Sequence, residues 1–261
     1  MNVKPLILLL LSIMIIYSCK EKKKEFNPQT IEDYWLEQIK LYPDSAILKE
    51  SLIQLYRDSF DYDAALFYSD SLVKVEGDNP RWWHIRGTLH FELHDTVTAI
   101  KSFGKAYLLN PNPIDGIYWA RIMAFQSDSN CLNLCDEILQ KFGENIKKET
   151  FLIKGDYYSS IKNHEDAFAN YDSSIRSSYT FMEPYLQKAR LLMQLDKFDA
   201  AIAVLKKATT IQNNYDEGFF NLGKCYEKIK DTTAAIEAYN RTLLINPDYT
   251  EAETAIESLN K

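Results

Sequence analysis

The chain has 261 residues, of which 46% are hydrophobic and 26% charged, and its net charge is −7. The apolar fraction is too high for a disordered chain, and the length allows a sizeable buried core. The acidic balance argues against a nucleic-acid-binding protein, because such proteins need a basic surface to displace counterions from phosphates. The low counts of glycine and proline, eight of each, favour helices over a turn-rich β fold.

The N-terminal residues have the pattern of a secretory signal peptide. Lys4 supplies a positive start, and an apolar run extends from Leu6 to Tyr17, broken only by Ser12. This run is too short to span a membrane, which takes roughly twenty residues. We therefore predict that residues 1–18 are a cleaved signal peptide rather than a spanning helix.

The apolar run ends in Ile16-Tyr17-Ser18-Cys19, which resembles a bacterial lipobox. The resemblance implies that Cys19 becomes the N-terminus and carries palmitate-type acyl chains that hold the protein on a membrane. Ordinary secretion, with Cys19 as an incidental thiol, is the alternative. Lys20 stands where an aspartate would mark inner-membrane retention, so the resemblance favours the outer membrane of a bacterial cell envelope, on its periplasmic or its surface side. Residues 19–28 are predicted to form a charged, solvated tether.

Residues of similar type recur along the rest of the chain at an offset of 34. In the unit that begins at Asp216, positions 7, 8, 11, 20, 24 and 32 are Leu222, Gly223, Tyr226, Ala235, Tyr239 and Pro247. Small or aromatic residues occupy many of these positions in earlier units, and the pattern resembles that of the tetratricopeptide repeat family. The resemblance predicts six repeats over residues 46–249, with starts at 46, 80, 114, 148, 182 and 216.

The 34-residue spacing also has a physical explanation in the packing of helices. Each unit has two amphipathic helices, and small residues at positions 8 and 20 allow the helices to approach closely. One unit cannot bury its apolar face alone, so the units must stack. We predict an all-α, right-handed superhelical solenoid. Capping helices are predicted at both ends, in residues 29–45 with Ile31, Trp35 and Ile39 on one face, and in residues 250–261.

The third repeat departs from the pattern. Its second helix carries Cys131, Leu134, Cys135 and Ile138 about two residues early. The sequence predicts a short turn at Ser127–Asn130 and a correspondingly long link after it. The two cysteines are interpreted as small buried packing residues, with a redox or metal-binding role as the less favoured alternative.

Catalytic motifs are absent from the sequence. It contains no glycine-rich phosphate loop, no Gly-x-Ser-x-Gly, no His-Glu-x-x-His and no Cys-x-x-Cys. His90 and His94 are four residues apart beside Asp95, a spacing that could serve a metal, but a packed histidine followed by a turn histidine is the preferred interpretation. We therefore predict no catalytic residue, no metal and no cofactor. An enzyme or metal-binding protein built on the solenoid is the less favoured alternative.

Tetratricopeptide proteins bind partners in a concave groove that their first helices line through positions 2, 5, 9, 12 and 13. In this chain those positions include His84 and a strip of apolar and aromatic residues, while the rims carry Arg57, Arg81, Asp115, Asp156, Arg190 and Lys224. Part of the strip would belong to the core if the superhelix tightens. The predicted peptide-binding groove consists of Phe91, Tyr118, Ile122, Phe125, Leu152, Leu186, Met193 and Phe220.

The resemblance implies a membrane-anchored, non-catalytic scaffold that binds an unidentified protein or peptide partner. Chaperone-binding members of the family grip a C-terminal carboxylate with lysine and asparagine in the groove. Positions 5 and 9 of this chain lack that set, so a chaperone adaptor is not expected. The alternative within binding proteins is an assembly factor that resembles pilotins and outer-membrane assembly lipoproteins.

Overall fold

The computed structural model describes residues 30–260, and within that range the chain forms fourteen α-helices, one 3-10 turn and no strand. The predicted signal peptide, Cys19 and the tether lie outside the described residues and stay predictions. The helices are α1 Ile31–Leu41, α2 Ala46–Asp58, α3 Tyr62–Val75, α4 Pro80–Glu92, α5 Thr96–Leu109, α6 Pro113–Phe125, α7 Asn130–Phe142, α8 Lys147–Ser160, α9 His164–Ser177, α10 Glu183–Gln194, α11 Phe198–Ile211, α12 Asp216–Lys228, α13 Thr232–Ile245 and α14 Thr250–Leu259.

The helices from α2 to α13 form six antiparallel-type pairs that stack in chain order, each helix packing against the next. Every turn inside a pair contains one residue in the left-handed backbone region, which ends the first helix sharply. The following helix is commonly capped by an aspartate or asparagine whose side chain accepts a hydrogen bond from a backbone amide, as Asp61 does from Ala64 at 3.1 Å. The left-handed residues are Phe60, His94, Ser127, Lys162, Asp196 and Lys230.

Small residues lie at the contact between the two helices of a pair. Ala65, Ala99, Ala167, Ala201 and Ala235, all at position 20, are fully buried. In the fourth pair a Cβ atom placed on Gly155 would lie 2.6 Å from the ring of Tyr171, so only glycine fits there without movement. These contacts repeat from pair to pair along the stack, and the prediction of an all-α solenoid is confirmed.

The third pair is irregular in a way that the sequence predicted only in part. Cys131, Leu134, Cys135 and Ile138 are buried, as expected. The prediction of a short turn is wrong, because residues 126–129 separate α6 from α7, one residue more than in each of the other pairs. The prediction of a long link after it is also wrong, because residues 143–146 are no more numerous than in most other links. This link is irregular in conformation instead, with Gly143 at φ of 77° and a 3-10 turn at Glu144–Ile146.

The two end helices cover the solenoid unequally. In α1, Trp35 and Ile39 are half-buried, but Ile31 is 69% exposed and does not share their contact. In α14, Ala252 is fully buried against the last pair. No helix between residues 30 and 260 is both long enough and apolar enough to cross a membrane.

Candidate functional site

The first helices in the middle of the solenoid contact their neighbours. The first helix of the fourth pair, α8, packs against α6 of the third pair and against α10 of the fifth. Three of their side chains, Ile122, Leu152 and Leu186, are buried at 2%, 1% and 4% exposure. Ile122 clusters with residues of α5, Leu152 with residues of α9 and α10, and Leu186 with residues of α11 and α12. These three residues were predicted to line a groove, and the structure places them in the core, because each packs against the neighbouring helices of the stack.

An ion pair connects the third helix pair to the fifth. Arg121 of α6 pairs with Glu183 of α10, so the contact joins the third pair to the fifth across the fourth. Asp156 of α8 lies within electrostatic reach of Arg121 and is largely buried. Two clefts lie on either side of this ion pair, one lined by α2, α4 and α6 and the other by α10 and α12.

Asp156 is a carboxylate that the fold holds away from water. Burial raises its pKa to about 6, even though Arg121 and the hydroxyl of Tyr171 act in the opposite direction. That hydroxyl donates a hydrogen bond of 3.0 Å to Asp156 Oδ1. The middle of the concave face therefore contains a buried group that is ionised at neutral pH at a cost to stability.

The cleft formed by α2, α4 and α6 is the larger of the two and is here called the N-terminal cleft. Its volume is ≈ 530 Å³. Ion pairs flank it, with Arg57 bonded to Glu92 and Arg81 bonded to Glu50. The lining residues are Ile47, Glu50, Ser51, Ile53, Gln54, Arg57, His84, Ile85, Thr88, Leu89 and Tyr118.

A histidine and a buried carboxylate meet at one wall of the N-terminal cleft. The Nδ1 atom of His84 lies 2.6 Å from Oδ1 of Asp115, whose side chain is only 4% exposed. Asn112, the N-cap of α6, donates a second hydrogen bond of 2.5 Å from Nδ2 to Oδ2 of the same carboxylate. Asp115 was predicted to lie on a rim of the groove. It is buried instead and fixes the imidazole ring.

Aromatic rings continue this wall. Tyr118 stacks on Phe103 with a centroid distance of 5.0 Å, and Phe91 meets Tyr118 edge to face at 6.3 Å. Tyr118 and Phe91 are 39% and 41% exposed, and Phe125 at the end of α6 is 85% exposed. Three of the predicted groove residues, all on first helices of their pairs, thus expose aromatic rings to solvent.

The second cleft lies between α10 and α12, and Tyr249 covers one side of it. It is smaller, ≈ 280 Å³. Phe220 packs against Tyr249 with a centroid distance of 4.8 Å, and the ammonium group of Lys224 lies 5.6 Å from the centroid of Phe220. Met193 and Phe220, both predicted groove residues, are half-buried in its walls.

The two cysteines and His90 are packed into the fold, whereas His94 is exposed in a turn. Burial raises the pKa of the Cys131 thiol to about 12 and also raises that of Cys135, so neither forms a thiolate at neutral pH. His90 is largely buried with Nδ1 3.1 Å from Asp95 Oδ2, and burial lowers its pKa. His94 is the left-handed residue of its turn. Within residues 30–260 no three histidine, cysteine or acidic side chains are grouped to hold a metal ion.

The pairing of His84 with Asp115 was missed from the sequence, although a signal was present. Positions 5 and 2 of consecutive repeats are 31 residues apart, and that offset joins both His84 to Asp115 and Glu50 to Arg81. Opposite charges at this offset in a 34-residue repeat therefore indicate contacts between neighbouring first helices.

The geometry defines an α-solenoid of stacked helix pairs whose concave side carries clefts and exposed rings, a class of protein that binds other proteins. Family models for the tetratricopeptide repeat match residues 217–249, and for the TPR repeat residues 189–230. Residues 189–249 of this chain therefore carry tetratricopeptide repeats.

Solved structures share the fold over most of the chain. A tetratricopeptide repeat protein from Parabacteroides merdae superposes with a TM-score of 0.70 at 14% identity, covering 88% of this chain and 91% of that one. PilW, a type IV pilus biogenesis factor, superposes with a TM-score of 0.62 at 18% identity, covering 82% and 97%. At these identities the similarity concerns the fold alone.

Curated relatives match over shorter regions. DnaJ homolog subfamily C member 7 of Homo sapiens is 23% identical over 124 residues, which are 48% of this chain and 25% of that protein. A TPR repeat-containing protein of Methanocaldococcus jannaschii is 31% identical over 97 residues, 36% of this chain and 17% of that protein. The match thus spans a quarter or less of the length of each of these relatives.

Proposed function

We propose that this protein is a membrane-anchored, non-catalytic scaffold that holds a peptide segment of a partner protein in the clefts of its concave face. The observation that carries the proposal is the pair of exposed, contacting rings of Phe91 and Tyr118 at the N-terminal cleft, with the exposed ring of Phe125 farther along α6. Exposed apolar surface of this kind on a folded domain marks an interaction site more often than it serves stability. Aromatic anchors also dominate the energetics of protein interfaces.

An assembly factor of the cell envelope is the second candidate. The observation that favours it is the fold similarity to PilW, whose description as a type IV pilus biogenesis factor applies to that protein. Both candidates predict binding of a protein partner through the concave face. They differ in the partner, which would be a component of an envelope machine in the second case.

Truncation of the exposed rings should reduce partner binding. We expect Tyr118→Ala and Phe125→Ala to weaken binding by about 2 kcal/mol, roughly a 30-fold loss, if the rings lie at the centre of the interface. The test is photo-crosslinking in native envelopes from a probe placed at Thr88 in the cleft, followed by mass spectrometry of the captured protein. Each variant is then compared with the wild type for capture of that same protein.

Phe67 provides a matched control for this experiment. It is an equally aromatic and exposed residue, but it lies on α3, a second helix of its pair. Phe67→Ala should leave capture unchanged. If Phe67→Ala abolished capture while the two concave-side variants did not, the partner would dock on the outer face and the proposed groove would be wrong.

The membrane anchor is proposed on the lipobox resemblance of residues 16–19. Cys19→Ala should leave an unprocessed precursor or release the chain from the membrane, because the acyl chains provide the attachment. Metabolic labelling with a palmitate analogue and fractionation of membranes measure both effects. Normal processing and full membrane retention of Cys19→Ala would contradict the anchor.

A further inference from the structure

We propose that the N-terminal cleft recognises an uncharged backbone amide of the partner peptide, hydrogen-bonded by His84 Nε2 and the Tyr118 hydroxyl, with an adjacent apolar side chain packed on the exposed rings. This inference rests on the proposed function and narrows it to one cleft and one kind of ligand. Its support comes from the fixed position of the imidazole, the charge balance of the cleft and the hydrogen-bonding groups that are left over.

The imidazole of His84 is held in place by three contacts. Its Nδ1 atom bonds to Asp115, and its ring meets Phe103 and Tyr118 edge to face at 5.7 and 6.4 Å. With Nδ1 bonded to the carboxyl group, Nε2 remains as the other hydrogen-bonding atom of the ring. A polar group that supporting contacts orient in this way is prepared for a ligand rather than adapting to one.

The charges in and beside the cleft are already paired. Arg57 bonds to Glu92, Arg81 bonds to Glu50, and His84 bonds to Asp115. A carboxylate or an ammonium group on a ligand would therefore find no unpaired opposite charge among these residues. Charge complementarity thus favours a neutral occupant.

Two polar groups of the cleft remain unused. No residue between 30 and 260 forms a hydrogen bond with His84 Nε2 or with the hydroxyl of Tyr118, although both side chains line the cavity. The hydroxyl can donate or accept, and Nε2 accepts in the neutral ring and donates in the protonated ring. A backbone amide offers both a carbonyl oxygen and an N–H group, so it matches the pair in either state of the ring.

Three small probes that share a phenyl group test the proposal: N-acetyl-L-phenylalanine methylamide, N-acetyl-L-phenylalanine and phenethylamine. They present a neutral amide, a carboxylate and an ammonium group at pH 7. Titration of each into the purified full chain is followed by NMR of the histidine side chains. The methylamide should bind most tightly and shift the signals of His84, while those of His94, in the turn after α4, stay in place.

Tyr118→Phe keeps the stacked ring and removes only the hydroxyl, so the variant should fold. It should bind the methylamide roughly 3- to 10-fold more weakly, which corresponds to one hydrogen bond. Tyr179→Phe, at an exposed tyrosine between α9 and α10, should bind as the wild type does. His84→Gln provides a second variant and should also bind more weakly.

Tighter binding of either charged probe, no binding of the methylamide, or full affinity of Tyr118→Phe would overturn the proposal. The crosslinking experiment separates this failure from failure of the proposed function. If Tyr118→Ala and Phe125→Ala still lose partner capture while a charged probe binds best, the scaffold stands and the ligand chemistry is wrong.

Discussion

Asp156→Asn should raise the free energy of unfolding at pH 7 by about 3 kcal/mol. Burial raises the pKa of this carboxyl from 3.8 to about 6 in the folded protein. Each pKa unit corresponds to about 1.4 kcal/mol, so ionisation of the folded state costs about 3 kcal/mol relative to the unfolded chain. Asparagine removes that cost, and its amide oxygen can still accept the hydrogen bond from Tyr171.

The pH dependence gives the sharper test. Between pH 4 and pH 6 the folded state holds a proton on Asp156 that the unfolded state has lost, so the contribution of this group to stability falls as the pH rises. The contribution is fully present below about pH 4 and is lost as the pH passes through about 6. Urea unfolding of wild type and Asp156→Asn from pH 4 to pH 8 should therefore show curves that diverge with rising pH.

Asp44→Asn is the control for this experiment, because Asp44 is exposed in the loop between α1 and α2. Its unfolding curves should run parallel to those of the wild type. A constant difference between Asp156→Asn and the wild type across the pH range, or a loss of stability at pH 7, would show that Asp156 is not the buried, protonation-sensitive group of the concave face.

The repeat itself could be predicted from the sequence because it depends on local packing. The 34-residue offset puts an alanine at position 20 in pair after pair, and these alanines are buried where the two helices of a pair meet. The buried set Cys131, Leu134, Cys135 and Ile138 could also be assigned, since its spacing places one apolar stripe on α7. Such contacts join residues that are close in sequence, so the periodicity of apolar and small residues predicts them.

The shape of the groove could not be predicted in the same way. Positions 2, 5, 9, 12 and 13 identify the face of a first helix but not its distance from the next first helix. That distance depends on how successive pairs stack, and the stack contains an irregular link after the third pair, where Gly143 has a positive φ and Glu144–Ile146 form a 3-10 turn. Leu152 and Phe125 both match groove positions, yet one is 1% and the other 85% exposed.

The presence of two separate clefts could not be predicted from the sequence for the same reason. Arg121 and Glu183 are 62 residues apart, and no repeat offset of the family connects them, because the contact skips a whole pair. The packing of α8 against both α6 and α10 brings the two side chains together. A partner that lay along the whole concave face would have to disrupt the ion pair between Arg121 and Glu183. Short segments that fit one cleft are therefore the expected ligands.

Ala201→Trp should cause a large loss of stability, because position 20 is the close contact of the fifth pair. Ala201 is fully buried in a cluster that includes Leu186, Leu205 and Leu222. Protein cores are packed at crystal-like density, so an indole has no space there unless α10 and α11 move apart. Overpacking costs about 1–3 kcal/mol when side chains can adjust, and more when the backbone must shift.

The neighbouring residue provides the control within the same helix. Ala200 also lies in the first turn of α11 but is exposed, so Ala200→Trp adds the same side chain towards solvent. For a domain of this size each kcal/mol lowers the thermal midpoint by roughly 2–4 °C. We expect the midpoint of Ala201→Trp to fall well below that of Ala200→Trp in scanning calorimetry. Equal midpoints for the two variants would remove position 20 from the core, and the 34-residue register on which the groove positions depend would be wrong with it.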